Sequence, residues 1–362
     1  RAQNRGGKGR SGMATRDEDF VARLFVANTH TPVLFFSSRG QVYKEKVWRL
    51  PMAAPNSRGK ALINMLPIQH GDRITAIMPL PEDDESRNEL DVMFATKTGT
   101  VRRNKLSDFT RVNRNGKIAM KLEDDDGIVS VKICSEKDDI LLTTALGQCI
   151  RFAVPDVRVF AGRNSTGVRG IRLGEGDEVI SMGILRHMDV TSEEARGYLK
   201  HAAAMRRAAT GEEEEVSDDD GEEAVDEAAL SAERIAELGA AEEFILTIAD
   251  DGMGKRSSAY DYRVTGRGGK GLVAQNIWGR DKKQGPVKQV AQSFTVGDGD
   301  QVMLVTNAGQ LIRTPVEQIR IAGRSTGGVW VLRTAEGERV VSVARLVEDA
   351  ETAMDDAEDA GD

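Results

Sequence analysis

Cysteine, histidine and aromatic side chains are scarce in this 362-residue chain: two Cys, four His, ten Phe, four Tyr and three Trp. Cys134 and Cys149 lack CxxC spacing and sit in apolar runs, which reads as reduced core thiols of a cytosolic protein rather than a disulfide framework. His30, His70, His187 and His201 are scattered, which argues against a metal site. The few aromatics argue against a stacking platform for single-stranded nucleic acid. Trp48, Trp278 and Trp330 fall in or beside apolar strands and read as packing residues. No apolar run is long enough to span a membrane, and no stretch reads as a signal peptide. There is no P-loop, catalytic triad or carboxylate group with metal spacing; DDESRNELD (83–91) and EDDD (123–126) read as solvated acidic loops. These absences point away from catalysis, with no catalytic residue, metal ligand or cofactor-binding residue assigned.

The net charge of −8 hides a segregation. Residues 190–243 hold 5 Lys/Arg against 17 Asp/Glu, and residues 348–362 hold 8 Asp/Glu and no base. The remainder holds 45 basic and 33 acidic residues, a net of +12. A basic body with two acidic appendages fits a polyanionic partner. The acidic runs either keep that body soluble or compete with the polyanion.

What the chain has in abundance is a repeat. Each unit opens with a strand pair around a turn glycine, as in VLFFSSRGQVYK, VMFATKTGTVRR, ILLTTALGQCIR, ILTIADDGMGKR and VMLVTNAGQLIR; the glycines are Gly40, Gly99, Gly147, Gly252 and Gly309. A loop then closes on a second glycine: Gly9, Gly59, Gly116, Gly167, Gly271 or Gly328. An apolar strand follows an acidic or polar turn: DFVARLFV, DRITAIMP, DGIVSVKI, DEVISMGI, GPVKQVAQ and ERVVSVAR. Closing glycines lie 50, 57, 51, 104 and 57 residues apart, a spacing that suits four-stranded propeller blades with one insert. Five units are complete and the first is a second half only, which reads as a fragment whose preceding strands lie upstream. The insert, about 190–243, predicts a helix over Ala195–Ala209 behind a capping box at Thr191–Glu194, an acidic linker Gly211–Glu223, and a second helical stretch Glu223–Gly239 with a thin apolar face and hence a mobile hairpin.

Cations recur in register with these glycines. Four residues after each turn glycine stands a base: Lys44, Arg103, Arg151, Arg256 and Arg313. Near the closing glycines stand Arg58, Lys60, Arg114, Lys117, Arg163, Arg169, Arg267, Lys270 and Arg324. RGGKG occurs twice, at Arg5–Gly9 and Arg267–Gly271; glycine lets the backbone approach a ligand, and the bases supply phosphate donors. A base at one point of every blade would form a ring or spiral of charge for duplex DNA, whose phosphates are spaced about 1.7 Å apart along the axis. The alternative is that these bases cap strand ends or pair with nearby acids. No helix-turn-helix, zinc-finger spacing or basic helix is present, so contacts should read backbone rather than sequence.

QNRGGKG at the start, LFVANTHTPVLFFSSRGQVYKEKVWRLP and GRNSTGVRGIRLGEGDEV together resemble the C-terminal domain of the DNA gyrase A subunit, over nearly all of residues 1–347 outside the insert. The resemblance implies an all-β, six-bladed β-pinwheel whose propeller-like blades exchange strands. Gln3, Arg5, Gly6, Gly7, Lys8 and Gly9 match the family's gyrase-A box, while Asn4 departs from its basic second position. The resemblance implies double-stranded DNA wrapped round the rim, bent, and supercoiled negatively by the whole enzyme. Its implied partners, in an A2B2 assembly, are the B subunit plus the rest of the A subunit, in a bacterial, nucleoid-associated cytoplasmic setting. ATP and magnesium are implied for the whole enzyme and bound elsewhere, as is the cleaving tyrosine; Tyr43, Tyr198, Tyr260 and Tyr262 lie in blades or insert. The expected domains are 1–18 as the end of a truncated first blade with the box, 19–347 as five further blades, and 348–362 as an acidic disordered tail. Two alternatives remain: the matching domain of topoisomerase IV, which lacks the box, and a protein-interaction propeller, whose signature patterns are missing.

Overall fold

The glycine-closed apolar pairs fold as antiparallel hairpins in the computed structural model, which describes residues 27–53, 59–81, 83–211, 230–278, 288–308 and 310–346. In chain order the strands and helices are β1 (Pro32–Ser37), β2 (Gln41–Lys46), β3 (Ile74–Pro79), α1 (Asp84–Glu89), β4 (Asp91–Thr96), β5 (Thr100–Lys105), β6 (Lys117–Ile118), β7 (Ile128–Cys134), β8 (Asp138–Thr144), β9 (Gln148–Ala153), β10 (Val168–Arg169), β11 (Val179–Arg186), α2 (Ser192–Thr210), α3 (Ala232–Ala240), β12 (Phe244–Ala249), β13 (Met253–Ser258), β14 (Leu272–Val273), β15 (Val290–Val296), β16 (Gln301–Thr306), β17 (Leu311–Pro315), β18 (Val329–Trp330) and β19 (Val340–Leu346).

These strands form five sheets ordered β3-β1-β2-β6, β10-β5-β4-β7, β11-β8-β9-β14, β15-β12-β13-β18 and β17-β16-β19. Each sheet is a hairpin flanked by its own third strand and, in four sheets, by a two-residue strand from the following unit. Strand exchange is therefore present, and five blades fall among the described residues; the box and the expected partial blade lie outside them. The third strands pack side by side, β3 on β7, β7 on β11, β11 on β15 and β15 on β19, and so surround a common axis. The exchanged strands occupy the opposite, outer edges.

Two glycines show why the exchange needs that residue. Gly252, at the turn of β12–β13, has φ of +86°, and a Cβ there would lie 2.0 Å from the Leu332 carbonyl oxygen. Gly271, before β14, has φ of +80°, and its Cβ would lie 2.1 Å from the Cys149 carbonyl oxygen. A side chain at either position would push the crossing segment off its neighbour. The acid before the third strand also has a cause. Asp72, Asp126 and Asp177 accept the backbone N–H of Arg39, Thr98 and Leu146 at 3.2, 3.0 and 2.9 Å, closing the hairpin turn of their own sheet.

Buried aliphatic and phenylalanine side chains fill the gaps between blades. Phe36 packs edge-on against Phe94 and Phe109, which tilt against each other, with centroids 5.6–5.7 Å apart between the first two sheets. Met93, Leu142, Phe152 and Ile171 fill the next gap, and Leu246, Leu304 and Val316 the last.

Several expectations are corrected. DDESRNELD is not a loop: Asp83 caps α1 by accepting the Ser86 N–H at 2.6 Å, and Asp91 is fully buried. The strand expected in GPVKQVAQ begins later, at Val290. The insert's helices run Ser192–Thr210, behind the expected capping box, and Ala232–Ala240. Their apolar face is not thin: Tyr198, Ala202 and Leu238 are buried against Tyr260 of the fourth blade. Tyr260 Oη donates to the Leu238 carbonyl at 2.9 Å, and Tyr198 Oη to Glu242 at 2.8 Å. Trp48, Trp278 and Trp330 are not packed away; they are 54%, 41% and 53% exposed.

Candidate nucleic-acid interface

The bases in register with the glycines separate into two groups with different surroundings. The first group stands on the second hairpin strand. Arg103, Arg151 and Arg256 are only 3%, 5% and 7% exposed. Arg103 Nε donates to Asp91 at 2.7 Å, and Arg151 Nε donates to Asp139 at 2.8 Å. Hairpin register explains both pairs: Asp91 faces Lys105 and Asp139 faces Ala153, so each Arg is the diagonal neighbour on the same face. In the fourth sheet Phe244 takes the acid's place, and Arg256 lies 5.8 Å from its ring centroid while Nη1 donates to Asp298 at 2.8 Å.

Further donors of these three arginines reach the segment that crosses over from the next unit, while Arg103 Nη2 donates to Glu136 and Arg151 Nη2 to the Arg186 carbonyl. Arg103 donates to the Val157 carbonyl, Arg151 to Ala259, and Arg256 to Ile319 and Glu317. Lys44, half-buried, donates likewise to the Thr110 carbonyl. These side chains fasten one blade to the next. The reading of Arg103, Arg151 and Arg256 as phosphate contacts is therefore corrected: burial and pairing consume their charge, as the strand-end alternative supposed. Arg313, in the last sheet, is exposed and donates to Gln301 at 2.5 Å.

Two buried cations escaped the sequence reading because they stand one residue earlier. Arg102 donates to Asn104 at 2.8 Å and to the Ser165 carbonyl. Lys255 donates to the carbonyls of Gly323, Arg324 and Thr326. Both hold the crossing segment just before its closing glycine.

The second group lies on those crossing segments, here called straps: residues 106–118, 154–169, 259–273 and 316–330. Each begins with a short 3-10 turn and runs along the outer edge to the exchanged strand. The straps share an Arg followed by Val or Ile that the sequence reading missed: Arg111-Val112, Arg158-Val159, Arg263-Val264 and Arg320-Ile321. Its distance to the closing glycine varies (5, 9, 8 and 8 residues), which hid it from a fixed-register search. Val159, Val264 and Ile321 make single parallel bridges to Arg103, Arg151 and Arg256. The preceding Arg111, Arg158 and Arg263 project into solvent, with Arg158 stacked 4.2 Å from the Phe160 ring centroid.

A seam hydrogen bond recurs between straps. Arg163 Nη1 donates to the Asp108 carbonyl at 3.1 Å, Arg267 Nε to Asp156 at 2.9 Å, and Arg324 Nε to Asp261 at 2.8 Å. Arg324 is buried and also lies 3.7 Å from the Asp261 carboxylate, so it too is corrected from a ligand contact to a structural one. Lys60, Arg114, Arg169, Arg267 and Lys270 are exposed, and Lys117 and Arg163 half-buried; none has a carboxylate partner among the described residues. Gln3, Arg5, Gly6, Gly7, Lys8, Gly9 and Arg58 lie outside the described residues. The four straps hold 11 bases against four acids, Asp108, Asp156, Asp261 and Glu317, so the outer edge is a track with cations in excess. Among the described residues no group of three or more His, Cys, Asp or Glu is placed for a metal ion, and no helix is long and apolar enough to cross a membrane.

A family model described as DNA gyrase C-terminal domain, beta-propeller, matches residues 1–28, 31–81, 90–135, 138–186, 243–282 and 300–346. The chain belongs to the DNA gyrase C-terminal domain family. The DNA gyrase A subunit of Granulibacter bethesdensis is 51% identical over 99% of the chain, and that of Escherichia coli K12 is 38% identical over 96%. The chain spans 38% and 32% of the length of these two relatives. Among solved structures, a DNA topoisomerase IV C-terminal domain superposes with a TM-score of 0.70, covering 96% of this chain and 90% of that one at 20% identity. A DNA gyrase A C-terminal domain gives 0.62, covering 96% and 93%, also at 20% identity. Both structures show the same all-β fold. The family match extends through residues 1–28 and so includes the box, and its six segments skip the α2–α3 insert of this gyrase-family domain.

Proposed function

We propose that this domain binds, bends and wraps duplex DNA around its outer edge without regard to sequence. The observation that supports it most is the contrast between buried, paired hairpin arginines and exposed strap cations on the same repeat. Membership of the gyrase family supports DNA as the ligand of this track. Duplex backbone is the polymer whose regular charge suits a cation array on successive blades, and each neutralised phosphate releases counterions. Following blades set around an axis requires DNA to bend, and phosphate contacts offset the elastic cost.

Within a complete gyrase, the wrapped segment would give strand passage the handedness that produces negative supercoils. Cleavage, ATP and magnesium belong to other parts of that enzyme, whose partner chain is the B subunit. The box residues Gln3–Gly9 favour this over a topoisomerase IV role, and the strap cations favour it over a protein-interaction propeller. The test is titration of two unrelated duplexes across a salt series, with donor and acceptor dyes at the duplex ends. Equal affinities that fall steeply with salt, together with end-to-end shortening, support the reading. A strong sequence preference, or affinity indifferent to salt, overturns it.

A further inference from the structure

Consecutive straps leave clefts between them, and these clefts differ. Between the straps of the second and third units lies an opening of about 450 Å³. Arg111 and Lys117 line it from one strap, Arg163 and Asn164 from the next, with Ser107 and Asp108 completing the wall. Lys117 Nζ donates to the Arg111 carbonyl at 3.2 Å and Arg163 Nη1 to the Asp108 carbonyl at 3.1 Å, so both charges are positioned by neutral acceptors. The one carboxylate, Asp108, accepts from Asn104 Nδ2 at 3.1 Å. Three cations thus face one acid across a seam.

The corresponding seam between the straps of the fourth and fifth units is filled. There α2 of the insert lays Ala195 and Leu199 over Tyr260 and Arg324, and only about 40 Å³ remains. The Arg at that seam, Arg324, is buried beside the Asp261 carboxylate. Arg196 and Arg263 also line this closed seam, so the two seams hold the same balance of bases and acids. They differ in that the seam Arg is covered and paired with a carboxylate in one, and open and bonded only to a carbonyl in the other.

We infer that the open cleft seats one phosphodiester of the bound duplex, with Lys117 and Arg163 supplying donors from two different blades and Arg111 flanking them. This rests on the reading of the outer edge as a duplex-binding track. A phosphodiester carries one negative charge, and the bases lining the cleft outnumber its one acid. Desolvation and then the nearby Arg163 hold the Lys117 ammonium below its usual pKa; a phosphate between them would relieve that repulsion. Because its donors come from both straps, a seated phosphate also ties the blades together, fixing their angle at the point where DNA must curve.

The test compares Lys117→Gln and Arg163→Gln with Arg339→Gln, which removes an exposed cation already paired with Asp250 at 3.3 Å. The Lys117 side chain bonds within its own strap, so Lys117→Gln keeps the seam bond, and melting curves identify any unfolding in Arg163→Gln. The slope of log affinity against log salt should fall by about 1 in each cleft variant. The fall should be the same on unrelated duplexes and absent in Arg339→Gln. A wild-type slope in Lys117→Gln, with the parent still salt-dependent, overturns the cleft and leaves the wider track standing. A parent with no salt dependence overturns both. Inorganic phosphate is titrated in parallel against the amide signals of Gly162 and Asn164. Saturation there without any change of DNA slope in the variants would mark a free-anion site and overturn the duplex assignment.

Discussion

At the scale of single residues, the same side-chain type does opposite work according to where the repeat places it. Arg151 is buried, paired with Asp139 and bonded to the Ala259 carbonyl, so Arg151→Ala strips the buried Asp139 carboxylate of its guanidinium partner. That change should cost about 3–5 kcal/mol of stability. Chemical denaturation checks it, and the protein that remains folded should keep the parent's DNA salt slope. His187 also approaches Asp139, at 2.7 Å, and does not reproduce the lost bonds to the next strap. Cys134 and Cys149 are buried, and burial pushes both thiols up to about 12. Their folded pKa exceeds the unfolded value of about 8.5. Stability from the neutral thiols is thus complete below that value and is lost as pH rises from about 9 toward 12. Neither thiol should react with iodoacetamide at pH 8 until the domain unfolds, a result that mass measurement reads directly.

At the scale of elements, the hairpins and third strands were legible in the sequence, whereas the destination of the closing loop was not. Turn glycines, alternating apolar runs and an acid before the third strand are local signals, and Gly40, Gly99, Gly147 and Gly252 all sit at hairpin turns with positive φ. The pairing of β14 with β9, by contrast, joins Leu272 to Cys149 across more than a hundred residues, and nothing local announces it. The buried Asp–Arg pairs stood in plain view at a constant separation, Asp91 with Arg103 and Asp139 with Arg151. Recognising them needed the hairpin register, because only the register makes those two residues diagonal neighbours. Trp330 was misjudged for a related reason: its strand is a two-residue edge, so one face of it meets solvent. The strap glycine can be tested at this scale. Gly271→Ala forces a side chain into positive φ and against the Cys149 carbonyl, costing about 1–3 kcal/mol for the backbone alone. Hydrogen exchange at Leu272 and Val273 should accelerate well before the β8–β9 hairpin does; unchanged protection there would show that the strap does not depend on this glycine.

At the scale of the whole molecule, third strands around an axis and straps at the outer edge give the domain an inside and an outside with different chemistry. The box and Arg58 fall outside the described residues, so the track read from the structure rests on Arg111, Arg114, Lys117, Arg158, Arg163, Arg169, Arg263, Arg267 and Lys270. The central claim is that DNA touches this edge and leaves the axis side alone. Lysine acetylation with and without saturating duplex, quantified by mass spectrometry, tests it most directly. Lys117 and Lys270 should become protected at low salt and recover as salt dissociates the complex. Lys132, on the axial strand β7, and Lys137, in the turn that follows it, should react equally with and without DNA. Protection of Lys132 and Lys137 with Lys117 and Lys270 unprotected would contradict the account.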